Sequence, residues 1–149
     1  MVRAMISIVL NGRIKNKKAV VEFMDRVAVE LNIHRLRTRS IEVNMKTRIA
    51  KGHHYGDCWG DTTEVEIDIA RHMDDGPVAY VDILKTIAHE MVHGKQYLRG
   101  ELNGWHDKWK GKSTKKYDNT EYKDLPWEQE ALVMEEFLYK KCWEDFNAK

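Results

Sequence analysis

The fold is decided by residues 81–98, which read VDILKTIAHEMVHGKQYL. Apolar residues recur in this segment at intervals of three and four, a pattern that predicts a helix with one buried face. The buried face consists of Ile83, Leu84, Ile87, Ala88, Met91 and Val92. Gly100 follows, at the place where the turn that ends a helix favours glycine.

Two histidines and a glutamate lie within this helix, in the order His89-Glu90-Met91-Val92-His93. Residues four apart on a helix differ by about 40° around its axis and about one turn along it, so both imidazoles can reach one ion. Glu90 lies about 100° further round and is better placed to accept a proton than to ligate. Two unrelated surface histidines are the simpler alternative, but the apolar neighbours of the motif argue against it. The pattern therefore predicts a zinc site.

The rest of the chain predicts a small α+β domain. Helical spacing marks residues 17–32, and a last helix begins at Pro126 and ends near residue 145. Strands are expected at residues 4–10, 41–46 and 63–70, with a turn and a short strand within 51–61 and a hairpin within 101–125. We expect a single domain over residues 1–149, with helices on one face of a small antiparallel sheet and the metal site on the second long helix.

Composition is that of a globular protein without a membrane partner. Hydrophobic residues make up 42% of the chain, and no apolar run is long enough to span a bilayer. The net charge of +1 does not favour a general polyanion binder. The two cysteines, Cys58 and Cys142, have no framework spacing, so we expect free thiols and a cytoplasmic protein. His53 and His54, with Cys58, match no common metal-site spacing and are interpreted as part of a polar turn.

A wider stretch around the histidine pair resembles a known group of proteins. Residues 84–93, LKTIAHEMVH, look like the active helix of zincin metallopeptidases. The continuation through Gln96-Tyr97, then residues 109–112 (WKGK) and 125–131 (LPWEQEA), is similar to the small SprT-like metallopeptidases of bacteriophages. This resemblance covers roughly residues 80–135. It implies a zincin-like fold, one catalytic zinc ion and hydrolysis of peptide bonds, in the host cytoplasm if a phage encodes the chain.

A catalytic zinc ion normally has three protein ligands, and the third is open to several assignments. Glu128 is the preferred one, because the pattern Glu-x-Glu-Ala is similar to that of glutamate-ligand zincins such as the ImmA/IrrE-like group. Glu130 is interpreted as a hydrogen-bond acceptor for a ligand histidine or as a solvated residue. His106 is the alternative, since cellular SprT and Spartan-type proteases use a third histidine. In those proteins Gly-Pro-x-Phe follows the histidine, whereas here Asp-Lys-Trp follows it.

The expected activity is that of a zinc-dependent metallopeptidase. His89, His93 and Glu128 hold the ion, which lowers the pKa of a bound water towards about 7, and Glu90 accepts the proton as the general base. The substrate is expected to be a peptide or protein. The candidates to stabilise the oxyanion that forms are Tyr97, Tyr117 and Tyr122.

Two other functions stay open. The zinc site could belong to a non-catalytic regulatory module. Alternatively, a protease of the SprT or Spartan type could act on DNA-bound proteins, with a weak nucleic-acid contact through the lysine-rich segment from Lys108 to Lys116. A solvated hairpin is the simpler interpretation of those lysines. The acidic strand at residues 63–70 suggests tolerance for basic substrate side chains, if it is the sheet edge that pairs with an extended peptide.

Overall fold

The protein consists of a four-stranded sheet, two short hairpins and helices that lie on one side of the sheet. The computed structural model describes residues 5–49 and 55–148, so His53 and His54 lie outside the described residues. The strands of the sheet are β1 (Ser7–Asn11), β2 (Ser40–Lys46), β3 (Gly56–Gly60) and β4 (Glu64–Ala70). The hairpins are formed by β5 (His72–Met73) with β6 (Gly76–Pro77), and by β7 (Lys108–Trp109) with β8 (Lys112–Ser113).

The helices begin and end close to where the sequence predicts them. They are α1 (Lys17–Glu30), α2 (Tyr80–Leu98), α3 (Pro126–Tyr139) and the short α4 (Asp145–Asn147). One turn of π-helix, Lys140–Glu144, joins α3 to α4. Among the described residues, no helix has the length and hydropathy needed to cross a bilayer. Both cysteines are free, as expected.

The sheet is mixed, with the strand order β1-β2-β4-β3. β1, β2 and β4 run parallel, and only β3 is antiparallel to its neighbour. The expectation of an antiparallel sheet was therefore wrong. Between β1 and β2, helix α1 carries the chain back to the end of the sheet where β1 began, so the two strands run parallel. Between β2 and β4, the chain runs back as β3, so β4 again has the direction of β2.

The expectation that helices cover one face of the sheet is confirmed. Strand β2 alternates between buried and more exposed residues, and its buried side chains, such as Ile41 and Val43, join one core cluster with those of α1 and α2. The opposite face carries mainly polar side chains, and no described helix covers it; Val9 and Trp59 on it are 45% and 44% exposed. The sheet thus has one core face and one free face.

Two glycines let α2 lie close to the sheet beside the histidine motif. A Cβ atom on Gly94 would come within 3.3 Å of Val65 Cγ1 on β4. A Cβ atom on Gly56 of β3 would lie 2.7 Å from Thr86 Cγ2 and 3.0 Å from Glu90 Cγ. Larger residues at these two places would push the motif away from the sheet, because interiors have no spare volume.

Helix α3 packs along α2 and faces the histidines. Pro126 occupies the first turn of α3, where its missing N–H is not needed. Trp127, Ala131 and Leu138 are buried in the core on the inner side of the helix. Glu128, 4% exposed, therefore lies in the first turn of α3 and points towards α2.

Candidate metal centre

The three residues expected to bind a metal come together between α2 and α3. Glu128 places one carboxylate oxygen, Oε1, 2.8 Å from Nε2 of His89. Its other oxygen, Oε2, lies 3.0 Å from Nε2 of His93. One possible ligand atom from each of the three side chains lies within 4.8 Å of the other two, a spacing that one ion could satisfy. All three side chains are largely buried, at 14%, 9% and 6% exposed for His89, His93 and Glu128.

The other ring nitrogen of each histidine is held by a further hydrogen bond. Nδ1 of His89 lies 2.8 Å from Oε1 of Glu135, and Nδ1 of His93 lies 2.8 Å from Oε1 of Gln96. A carboxylate can only accept, so Nδ1 of His89 carries the proton and donates it to Glu135. These bonds orient both rings so that both Nε2 atoms face the same point. Hydrogen-bonded partners of this kind tune and position metal-ligating histidines.

Gln96 connects His93 to Trp127 and Glu130 of α3 by hydrogen bonds in the protein interior. It is fully buried, and its amide Nε2 donates to the Trp127 carbonyl at 2.9 Å and to Glu130 Oε1 at 2.8 Å. Because both donors of the amide are used, its oxygen is the atom that faces His93. Glu130 is in turn 3.0 Å from Lys95 Nζ. Glu130 therefore lies outside the metal group and acts as a hydrogen-bond acceptor for the residue that positions His93.

His106 does not belong to the group of possible metal ligands and contacts Tyr97 instead. Its Nε2 forms a 2.6 Å hydrogen bond with the hydroxyl of Tyr97, and its ring lies 6.1 Å from the ring of Trp127. The structure thus brings Glu128, and not His106, to the two histidines of the motif. The hydrogen bond to His106 also occupies the hydroxyl of Tyr97, one of the three candidates to stabilise the oxyanion.

The electrostatics of the group favour positive charge at its centre. Burial lowers the pKa of His89, but hydrogen bonds to Glu128 and Glu135 outweigh burial and raise that pKa to about 10. Burial opposes the Glu128 hydrogen bond at His93 as well, and the balance again raises the pKa. For Glu128, burial raises the pKa, yet hydrogen bonds from both histidines outweigh burial and lower it well below its usual range. The raised pKa values favour protonated rings, so a cation that binds here would displace the Nε2 protons. It would then meet two oriented imidazoles and a carboxylate that is already ionised.

Glu90 lies beside the group without joining it. The side chain is buried, and burial is the main cause that raises its pKa to about 7, against the nearby charges of His93 and His89. It lines a cleft of about 250 Å³ together with His89 and Glu128. Tyr122 and Gly56 form other parts of the cleft wall. The cleft gives a small molecule or a chain segment access to Glu90 and to the carboxylate of Glu128.

The edge of the sheet beside this cleft is β3, whose outer side pairs with no described strand. The acidic strand β4, which the sequence analysis considered as a possible edge, lies between β2 and β3 and has both sides paired. That interpretation was wrong because the short strand β3, placed before β4 in the chain, folds back along its outer side. Gly56 at the start of β3 is the residue that adjoins Glu90.

Two residues of the site were missed by sequence reasoning, although spacing offered a signal for both. Glu135 follows Glu128 by seven residues, which is about two helical turns and the same face of α3. Gln96 follows His93 by three residues on α2, about one turn away. Neither spacing shows that the side chain reaches a ring nitrogen, since that depends on how the two helices pack.

Comparison with known proteins adds no relative. No protein-family model, no curated protein and no solved structure matches the chain. The resemblance to SprT-like metallopeptidases therefore rests on the motifs quoted above.

Gln96→Leu should destabilise the metal-free protein by about 2–4 kcal/mol, because it leaves the Trp127 carbonyl and Nδ1 of His93 buried without a partner. Urea unfolding followed by circular dichroism measures the change. Gln129→Leu makes the same chemical change at an exposed position of α3, where it removes only the hydrogen bond to the Lys123 carbonyl, and should cost no more than about 1 kcal/mol. Equal stability of the two variants would contradict the role given to Gln96.

Proposed function

We propose that the protein is a zinc-dependent metallopeptidase in which His89, His93 and Glu128 hold the ion. One observation carries the proposal. The carboxylate of Glu128 lies between two Nε2 atoms whose rings are oriented by Glu135 and Gln96. Burying these charged groups has a cost in desolvation free energy. A bound cation is the ligand that fits the arrangement best.

The composition of the group distinguishes a catalytic site from a structural one. Structural zinc sites are closed by four protein ligands, whereas catalytic sites use three and keep one position open. Among the residues that the structure describes, the group contains three side chains of ligand type. His89 and Glu128 also line the cleft, so the group is open on one side. The two nitrogens and one carboxylate favour zinc over magnesium or calcium, which prefer oxygen ligands.

The chemistry follows from which residues face the cleft. A zinc ion held there would supply Lewis acidity, which makes a water molecule acidic near neutral pH and polarises a peptide carbonyl. Glu90 accepts the proton of the attacking water at its carboxylate and returns it to the leaving amine. Its position next to His89 on α2 keeps it at the cleft wall without making it a ligand.

Tyr122 is the tyrosine best placed to stabilise the oxyanion of the reaction. The hydroxyl of Tyr97 forms a hydrogen bond with His106. Tyr117 packs edge-on against Trp127, with ring centroids 5.8 Å apart. Tyr122 lines the cleft. The residue as a whole is 62% exposed, but partial shielding in the cleft, followed by the charge and the hydrogen bond of Glu128, raises the pKa of Tyr122. Its hydroxyl therefore stays protonated and can donate.

The edge of β3 supplies a place for an extended substrate. A peptide that adds to this edge gains main-chain hydrogen bonds without any requirement on its sequence. Because Gly56 of β3 adjoins Glu90, a chain bound there passes the cleft. The substrate class that fits best is therefore an unfolded or extended polypeptide segment.

A second candidate is a protease that acts on DNA-bound proteins. The five lysines of the β7–β8 hairpin and the turn after it are exposed, and none forms an ion pair with a described residue; they are Lys108, Lys110, Lys112, Lys115 and Lys116. Exposed unpaired lysines near aromatic rings suit a polyanion, and phosphate contacts weaken as salt rises. Salt-dependent binding of a DNA duplex would distinguish this function from that of a protease without a nucleic-acid partner.

The metal-free protein should take up about one zinc ion per chain. Glu128→Ala should weaken the affinity by about 100-fold or more, because loss of a ligand exceeds the effect of losing a ligand's hydrogen-bond partner. His106→Ala should change it by less than about threefold, since His106 bonds to Tyr97 instead. Titration against a competing chelator measures the zinc affinity of both variants. All titrations are done at one pH, because protonation of the ligands changes the apparent affinity. Loss of zinc in His106→Ala with retention in Glu128→Ala would assign the third ligand to the histidine.

Glu90→Gln should keep zinc and the fold but lose about 100- to 10,000-fold in turnover, because glutamine cannot accept the proton. Release of fluorescent fragments from labelled casein measures turnover, and metal analysis measures zinc. Glu121→Gln, at an exposed position outside the cleft, serves as the control and should remain active. Undiminished turnover in Glu90→Gln would remove the mechanism, and a zinc-loaded parent protein without activity would favour the regulatory module.

Tyr122→Phe should lower kcat by about 100-fold while zinc content and KM change little, because the lost donor acts on charge that forms during the reaction. Tyr117→Phe makes the same change outside the cleft and should retain the parent kcat. A kcat for Tyr122→Phe equal to that of Tyr117→Phe would exclude the hydroxyl from the reaction.

A further inference from the structure

A second, larger cleft lies on the free face of the sheet. It has a volume of about 610 Å³ and lies where β3 ends and β4 begins. Two tryptophans line it: Trp59 from β3, which is 44% exposed, and Trp105 from the loop after α2, which is 88% exposed. Indole rings are rarely left this open to water, and their faces attract cations as well as flat apolar groups. We call this feature the tryptophan cleft.

The charged residues that the structure describes in the tryptophan cleft all have one sign. Its described lining contains four carboxylates and neither lysine nor arginine; the carboxylates are Glu42, Asp61, Glu64 and Glu66. Glu42 and Glu66 are direct cross-strand neighbours, and Trp59 is the next residue of the same row. Like charges that lie opposite each other destabilise a sheet. A cation bound above this row would remove the repulsion.

The next row of the same face contains Asp57 and Asp68. Asp57 forms no ion pair with a described residue, but Asp68 is neutralised within the protein by Lys46, whose Nζ lies 2.8 Å away. In the tryptophan cleft, by contrast, Glu42 and Glu66 receive only neutral amide donors, from Asn11 at 3.2 Å and Asn44 at 3.4 Å. No described residue forms an ion pair with any of the four cleft carboxylates. Their charge is left for a partner.

The tryptophan cleft is connected to the metal centre by β3. This strand runs from Gly56, beside Glu90, to Gly60 at the cleft, four residues or about 13 Å along a strand. The loop that carries Trp105 approaches the end of β3, since a Cβ atom on Gly104 would lie 3.3 Å from the Gly60 carbonyl oxygen. A chain that pairs with β3 meets this loop and is directed over Trp59 and Trp105.

We propose that the tryptophan cleft binds an arginine side chain of the substrate, three to five residues from the bond that is cleaved. A guanidinium group is flat, so it stacks on an indole face while its N–H groups donate to carboxylates in the same plane. The four carboxylates form no ion pair with a described residue, although Asp61 accepts hydrogen bonds from the backbone N–H groups of Thr63 and Glu64. Their charge makes the cleft complementary to a basic segment and repels an acidic one. The inference rests on the proposed peptidase function for its link to cleavage, whereas binding in the cleft is independent of zinc.

The test measures binding apart from cleavage. The full-length Glu90→Gln protein is titrated into a fluorescein-labelled, amidated nonapeptide of alanine and serine with arginine at two alternate positions, and anisotropy is recorded. A matched peptide carries citrulline, which has the same shape without the charge. We expect the arginine peptide to bind at least about tenfold more tightly, and the difference to shrink as salt rises. Equal affinities for the two peptides would overturn the proposal.

Variants locate the binding. Glu42→Gln/Glu66→Gln and, separately, Trp105→Ala should each weaken binding of the arginine peptide by at least about fivefold. Trp105 is almost fully exposed, so its replacement keeps the test valid even if the double variant folds poorly. Asp74→Asn/Asp75→Asn makes the same change of charge in the turn between β5 and β6, at the other end of β4, and should change binding by less than about twofold. Equal binding by Trp105→Ala and the parent protein would exclude the cleft.

Hydrolysis of the same peptides by the parent enzyme separates the two proposals. If the arginine peptide binds as expected and is not cleaved, the tryptophan cleft stands and the peptidase function fails. If both peptides are cleaved with equal kcat/KM, the peptidase function stands and the role of the cleft in substrate choice fails.

Discussion

The contact on which the site depends is the carboxylate of Glu128 between the two histidines of α2. It is the only ionic link that α3 makes to the ring Nε2 atoms of His89 and His93 within the described structure, and it uses both carboxylate oxygens. This contact can form only if α3 lies close to α2. The packing of the two helices therefore determines the geometry of the site. The buried Trp127 beside Glu128 contributes the apolar side of that packing.

Such a group is not explained by stability alone. Buried ion pairs lose hydration that their mutual attraction often fails to replace, so well-packed apolar residues would usually serve a core as well or better. Here Glu128 and Glu135 form hydrogen bonds with two histidines, and the buried Glu90 lies beside them on α2. In the metal-free protein the raised pKa values of His89 and His93 allow ring protons to balance these carboxylates. The proposed zinc ion would take the place of those protons.

The sequence by itself determined the helices and the histidine pair. Helical periodicity depends on side chains close in sequence, so α2 and the placement of His89 and His93 on one of its faces could be read directly from spacing. The position of Pro126 likewise marked the start of α3. Preference for Glu128 came from resemblance, because helical spacing does not distinguish it from Glu130.

Only the tertiary structure decided which distant side chains meet. It directed Glu130 to Lys95 and Gln96, and it joined His106 to Tyr97, through contacts that no local pattern encodes. The parallel direction of the sheet and the choice of β3 as its edge were missed for the same reason: strand pairing joins residues far apart in sequence, and an alternating pattern shows a buried face but not the neighbour or its direction. Local spacing thus determined which residues share a face, whereas packing decided what that face meets.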